Sequence, residues 1–514
     1  STSGTMRPHP DLSGTAPKPT WLPIALGSLL RLVQIWMPVV GVHSWRQADT
    51  AAMARHFSQA GTPIWLPQID WGGASAGFVE SEFPLYPFLV SRLYSLIGVE
   101  EWLGRGLSVL CSALTIWLMM RLGRRWFSPE AGWWAGIAFA IAPLGVYYGR
   151  AFQAEALLVL CAAGALEAHS IWVERRKAWA VSLSWICFSA AALIKVIPLL
   201  WLGLPLLLVQ LTPSPLAKAE SPQQILQRLL RLTLNPWFWV YASTALAVTS
   251  AWYLHAYQLG EASGLTFGFW GEDSDRSNIG LALNLSSWVN LAIRTGLRAL
   301  VVAGVPLIVI GTMRSWRRGG GRIALGGVIG MLICTVATMK SSTVHEYYQL
   351  PFLLFSSPLV GLGWQTWKYK QRRWLIQILL SITFIASLSM LSIDYWAVEM
   401  RHRSIWMPLA ENIRKELPAN ARVVSVTDSD PTLLNLARRQ GWIIPSRELN
   451  LEKLKKLKDD GASHITGSLS WHNTYTPMQE DESKRIRQIM LTNDTSFSGT
   501  DRKTYLIPMK DLIP

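Results

Sequence analysis

About eleven stretches of this 514-residue chain run for 15 to 22 residues with almost no charged side chain. A helix needs about 20 apolar residues to cross the hydrocarbon core of a bilayer. A transmembrane barrel would alternate apolar and polar residues, whereas these runs are continuously apolar. The sequence therefore predicts a polytopic helical membrane protein. Only 16% of the residues are charged and the mean hydropathy is +0.23, figures that exclude an ordinary soluble enzyme and a disordered chain. The four cysteines, Cys111, Cys161, Cys187 and Cys334, all lie inside apolar runs. They read as buried thiols, which excludes a disulfide scaffold and gives no redox signal.

The expected spans are roughly 21–42, 103–120, 131–148, 154–172, 179–194, 197–211, 237–255, 299–313, 323–339, 350–366 and 374–393. Residues 1–20 form a polar tail in which Ser1–Thr5 look like a cloning scar, and no signal peptide is visible. The net charge of +15 invites a nucleic-acid reading, but in a membrane protein the position of the charges matters more than their sum, and no nucleic-acid partner is expected. Clusters at Arg121/Arg124/Arg125, Arg175/Arg176/Lys177, Lys218/Arg228/Arg231, Arg314/Arg317/Arg318/Arg322 and Lys368/Lys370/Arg372/Arg373 all fall on one side of the eleven spans. That side is predicted to be cytoplasmic. Pro84–Gly98, apolar but short and carrying Arg92, is expected to lie in the outer interface as an amphipathic helix.

Residues 394–514 differ in composition. A strand is expected over 422–427, helices over Pro431–Gln440 and Leu451–Asp460, and a last strand over Thr504–Pro508. The whole reads as an all-α polytopic membrane domain, 21–393, followed by a small soluble α/β domain, 394–514, on the outer side.

The unusual ionisable residues collect on that outer side. HSWRQADT (43–50) follows the first span, and Asp49 there is costly unless it is paired or faces water. Asp49 could equally cap a helix formed by 51–57. GFVESEFPLYPF (77–88) carries Glu80 and Glu82, two apart on an extended segment, as metal or substrate binding would need. GRAFQAE (149–155) supplies Arg150 and Glu155, and Lys195 interrupts the apolar run LIKVIP (193–198). FGFWGEDSDR (267–276) holds Glu272, Asp273 and Asp275, and MKSSTVHEYYQLP (339–351) holds Lys340, His345, Tyr347 and Tyr348. Arg46, Lys195 and Lys340 suit a phosphate at headgroup depth. The carboxylates suit general-base work or a divalent metal. Both sets are needed by a membrane transferase using a lipid-phosphate-linked donor. No Walker or GxGxxG fingerprint occurs.

In order and spacing these motifs resemble those of the membrane-integral C-type glycosyltransferases, in the protein-mannosyltransferase-like and aminoarabinose-transferase-like branch. HSWRQADTAAMARHF matches the first-loop acidic motif, SEFPLYPFLV the acid–x–Pro–Leu–Tyr element and GRAFQAEALLV the Arg–x4–acid motif. ALIKVIP matches the Leu–Thr–Lys–Gly break, and HEYYQLP the last-loop motif. The resemblance implies eleven to thirteen spans with two interfacial helices in the first outer loop. It implies inverting transfer of a sugar from a polyprenyl-phosphate donor to a lipid, glycan or protein acceptor, at the periplasmic face of a bacterial inner membrane. By the same resemblance Asp49 is the catalytic base, and Arg46, Lys195, Lys340, His345, Tyr348, Arg150 and Glu155 bind substrate. Glu82, with Glu272, matches positions able to hold a divalent metal, the one cofactor implied. The sequence departs from the pattern at Thr50, Phe83, Glu155 and Val196. A transporter or flippase for a lipid-linked sugar is the alternative, although transporters place their sites near the midplane between paired halves.

Overall fold

The computed structural model describes residues 18–271, 278–468 and 504–512. Each of the eleven expected spans contains helix, although the first is helical only to Leu32 and the eighth only from Gly304. They correspond to Trp21–Leu32, Glu101–Trp126, Pro129–Ile141 with Pro143–Tyr148, Glu155–Arg175, Ala178–Ile194, Pro198–Trp201 with Gly203–Leu211, Pro236–Ser263, Gly304–Ser315, Gly319–Ala337, Phe352–Lys368 and Arg373–Met390. Among the described residues four helices are each long and apolar enough to cross a membrane: Glu101–Trp126, Glu155–Arg175, Gly319–Ala337 and the continuous Arg373–Glu416. The polarity is inverted relative to a soluble bundle. Leu110, Leu114 and Trp117, or Trp374, Ile378, Ile382 and Ile385, form exposed stripes along their helices, while Arg31, Arg105 and Arg150 are fully buried. Such a surface is stable against hydrocarbon, and the inward arginines are the charges a lipid-facing helix cannot carry. The protein is thus a multi-pass helical membrane protein.

Helix starts follow local chemistry. Ser128 accepts a hydrogen bond from the Ala131 amide ahead of Pro129, and Asn235 does the same for Trp237 ahead of Pro236. Proline in the first turn loses no intrahelical bond.

Two helices, Ser44–Ala60 and Leu85–Ile97, lie between the first span and Glu101–Trp126 and pack on each other. The second buries Tyr86, Val90 and Tyr94 on one face and exposes Leu89 and Leu96 on the other.

The described part of the C-terminal region forms a four-stranded sheet. The strands are β1 Arg422–Ser425, β2 Gln440–Ile443, β3 His464–Ser468 and β4 Thr504–Pro508. β1 pairs in parallel with β2 and β3, and β4 is antiparallel to β3. Leu451–Asp459 is the expected amphipathic helix. The helix expected over Pro431–Gln440 is shorter, Thr432–Ala437, because Gln440 opens β2. The expected boundary at 393/394 also moves. The helix continues through Asp394 to Glu416, passing a π-helical turn at Leu391–Trp396. It continues because Glu399, read from sequence as a tail residue, is fully buried against Arg105 and Arg150.

Candidate active site

The chain turns sharply between the first span and the Ser44–Ala60 helix. Gly41 has φ +105°, and a side chain there would strike Glu399 Cγ at 2.6 Å, so only glycine fits this close approach. His43 follows in the left-handed region with φ 53°. The helix that begins at Ser44 presents Arg46 and, one turn later, Asp49.

Arg46 is salt-bridged to Glu82, and its guanidinium lies 4.3 Å from the Phe267 ring centre. Glu80 points elsewhere. Its two oxygens accept from the backbone amides of Phe267, Gly268, Phe269 and Trp270 at 2.9–3.3 Å. Glu80 is therefore a structural pin that fixes the 267–270 loop over Arg46, and the two glutamates do not share a face as their spacing suggested.

Lys195 lies in the break between Ala178–Ile194 and Pro198–Trp201, where it is salt-bridged to Glu155 at the head of the next-door helix. Its ammonium sits 4.7 Å from the Tyr347 ring and 5.0 Å from that of Tyr348. His345 stacks on Tyr347 at 5.3 Å and meets His43 edge-on at 5.4 Å. Burial, reinforced by His43, Arg46 and Lys195, lowers the His345 imidazole to about 3. It is therefore neutral near pH 7 and offers a hydrogen bond rather than a charge. Lys340, half-exposed on Met339–Val344, has no carboxylate partner among the described residues.

Asp49 is 3% exposed and lies inside the helix, so it is not a cap. Its Oδ1 accepts from Trp71 Nε1 at 2.9 Å. Burial holds its carboxyl well above the ordinary carboxylate range. The Trp71 bond and Arg46 pull the other way, while Asp70 and Asp430 add to the rise. Next to Trp71, Asp70 pairs with Arg55 at 2.5 Å and with His56 at 2.9 Å.

The structure thus gathers Arg46, Glu82, Glu155, Lys195, His345 and Tyr348 at one end of the bundle, with Asp49 one turn from Arg46. Arg150 stands apart. It donates to Glu399 at 2.6 Å, with Arg105 3.5 Å from the other oxygen, and all three side chains are fully buried. Glu272 lies outside the described residues. Among the described residues no three His, Cys, Asp or Glu side chains converge as a metal would require. Among the described residues Glu82 is engaged by Arg46 and Glu80 by four amides. Sequence reasoning missed Trp71, Glu346 and Glu399. Glu346 accepts from Tyr148 at 2.8 Å and Tyr395 at 2.9 Å and is salt-bridged to Arg298. Only its place between His345 and Tyr347 signalled it.

Residues 81–255 match the family model described as dolichyl-phosphate-mannose-protein mannosyltransferase. Among solved structures, ArnT from Cupriavidus metallidurans bound to undecaprenyl phosphate aligns with a TM-score of 0.64 at 14% identity, covering 96% of this chain and 98% of that one. The oligosaccharyltransferase AglB from Archaeoglobus fulgidus, in complex with an inhibitory peptide and a dolichol-phosphate, aligns with a TM-score of 0.51 at 10% identity, covering 88% and 69%. Arabinofuranosyltransferase AftD from Mycobacteria aligns with a TM-score of 0.50 at 15% identity, covering 87% of this chain and 35% of that one. No curated protein sequence matches. The fold is the one shared by these membrane-integral glycosyltransferases of the C type, and the family model adds a match over residues 81–255. Within that class the chain is similar to the protein-mannosyltransferase-like and ArnT-like branch.

Proposed function

We propose that this protein transfers a sugar, with inversion, from a polyprenyl-phosphate-linked donor to an acceptor at the periplasmic face of a bacterial inner membrane. The observation that carries the reading is the convergence of Arg46, Lys195, Tyr347 and Tyr348 at one end of an apolar bundle, one helical turn from the buried carboxyl of Asp49. A lipid phosphate at headgroup depth is the ligand that such cations suit. The donor class is supported by ArnT with undecaprenyl phosphate and AglB with dolichol-phosphate. The outward orientation is supported by the five basic clusters on the opposite side of the spans.

In this mechanism Asp49 removes the proton from the acceptor's attacking O–H or N–H. A bond forms to the anomeric carbon, and the bond from that carbon to the phosphate oxygen breaks on the opposite face. The polyprenyl phosphate leaves with its charge balanced by Arg46, Lys195 and Lys340. Burial serves this role, because a base works best when its pKa lies close to the operating pH.

Asp49→Asn is the test. With purified protein and a saturating polyprenyl-phosphate-sugar, turnover should fall by about 100-fold or more while donor affinity is retained. Near-normal turnover would make Glu82 or Glu155 the base instead.

A further inference from the structure

The C-terminal sheet reaches the first outer loop through main-chain bonds. The Gly441 amide on β2 donates to Asp70 O at 2.9 Å, and the Gly73 amide donates back to Gly441 O at 2.7 Å. Residues 70–73 are thereby held along the free edge of β2, the outermost strand. Arg422 on β1 adds bonds to Gly73 O at 2.7 Å and Ser75 O at 3.0 Å. Gly73 has φ +65°, and a side chain there would sit 2.7 Å from Trp442 Nε1, so glycine lets the Trp442 indole pack against the loop. Between the two bonded residues lies Trp71, whose Nε1 donates to Asp49. Its ring packs with both the Met37/Trp406 cluster and the Met53/Ile69 cluster. Ser44 Oγ also bonds Thr432 Oγ1 at 2.9 Å, which ties the start of the Asp49 helix to the same domain.

We infer that Trp71 is a positioning residue for the Asp49 carboxylate and that the C-terminal sheet, through the edge of β2, holds Trp71 in place. The inference rests on the reading of Asp49 as the base. A separate soluble appendage would leave the loop to its own hydrogen bonds. Here the loop's carbonyl and amide go to the sheet, so the orientation of the base depends on a domain some 400 residues along the chain. The groups that face Asp49 are Arg46 on its own helix, Asp70 on the loop and Asp430 from the C-terminal domain. Trp71 is the neutral donor among them and favours the ionised carboxylate.

Trp71→Phe keeps the apolar ring and removes only the donor. Turnover should fall roughly tenfold with donor KM unchanged, since the carboxylate loses the bond that orients it toward the acceptor's proton. The acidic limb of the rate–pH profile should move to higher pH. Arg422→Ala loosens the loop from outside the site and should shift the same limb in the same direction by less. Asp49→Asn run alongside separates the two claims. If Asp49→Asn is inactive while Trp71→Phe and Arg422→Ala both keep the wild-type limb, the positioning role is overturned and the base stands. If Asp49→Asn stays active, both readings fall. Should Trp71→Phe fail to fold, the limb of Arg422→Ala decides: a shift upholds the inference and no shift overturns it.

Discussion

Arg46 precedes Asp49 by one helical turn, yet its guanidinium is bound to Glu82, 36 residues further along the chain. The nearest cation in sequence is therefore not the counter-ion of the proposed base. The Trp71 hydrogen bond and, less strongly, the Arg46 charge offset the burial of Asp49, and burial wins. A carboxyl in that state costs folding energy whenever it must ionise, and the cost supplies basicity to the reaction.

The pH dependence follows with a definite sign. A base must be unprotonated, so turnover should fall as pH drops through the raised value for Asp49, at a pH above the ordinary carboxylate value of about 3.9. The folded-state pKa is raised, so Asp49 favours the folded state at low pH. That contribution is lost as pH rises from about 3.9 through the raised value. Asp49→Asn should accordingly raise the thermal unfolding temperature in detergent at pH 8 while abolishing turnover. An unfolding temperature that falls at pH 8 would show that the buried carboxyl is not a stability cost.

The buried triad of Arg105, Arg150 and Glu399 should respond in the opposite way. Removing Glu399 leaves two guanidinium groups with no carboxylate inside the bundle, and breaking a buried ion pair from one side costs roughly 3–5 kcal/mol. Glu399→Ala should therefore unfold at much lower temperature than Glu220→Ala, whose Arg228 pair is on the exposed surface. Thermal melts of the two variants, read by tryptophan fluorescence, check the ranking. Arg150→Ala should lose stability before it loses donor affinity, because its partner is Glu399 and not the proposed phosphate site.

How much of this was legible in the sequence depended on how local the cause was. The multi-pass helical fold was legible because hydrocarbon demands unbroken apolar runs. The short strands β2 (QGWI) and β3 (HITGS) were not, since four or five residues containing glycine show no alternation. Asp394 looked like the end of the membrane domain because charge resumes there. The helix runs on because Glu399 meets Arg150, 249 residues earlier. In the site the motifs named residues that the fold brings together, but their spacing did not give the pairs. Spacing of three along a helix favours Arg46 with Asp49, and only the folded 80–83 segment reveals Glu82 as the partner. Trp71 carried no sequence signal, since its role arises from a loop held by a distant domain.

Lowered carboxyls should fail at the other end of the pH scale. Burial would raise Asp70, but Arg55 and His56 outweigh it and hold it below its ordinary value. A carboxyl with a depressed folded-state pKa stabilises the fold above about 3.9, and loses that contribution as pH falls through the folded value. Asp70→Asn should thus lower the unfolding temperature at pH 7, and the gap to wild type should close as the pH approaches 3. A gap that stays constant from pH 7 to 3 would mean that Asp70 acts through shape and not through charge.

The two lysines should separate by their partners. Each charge-assisted bond to phosphate contributes roughly 1.5–3 kcal/mol, so Lys340→Ala should weaken binding of a polyprenyl-phosphate donor about tenfold or more. Lys195→Ala should cost more than Lys340→Ala. It removes a cation and also leaves Glu155 unpaired beside the phosphate, whereas Lys340 has no carboxylate partner among the described residues to strand. The double variant Lys195→Ala/Glu155→Gln should therefore bind the donor more tightly than Lys195→Ala alone, because the repelling charge is gone. Isothermal titration with the donor lipid in detergent measures all three. Equal affinities for the single and double variants would remove Glu155 from the phosphate's surroundings, and unchanged affinity in both lysine variants would remove the phosphate from this end of the bundle.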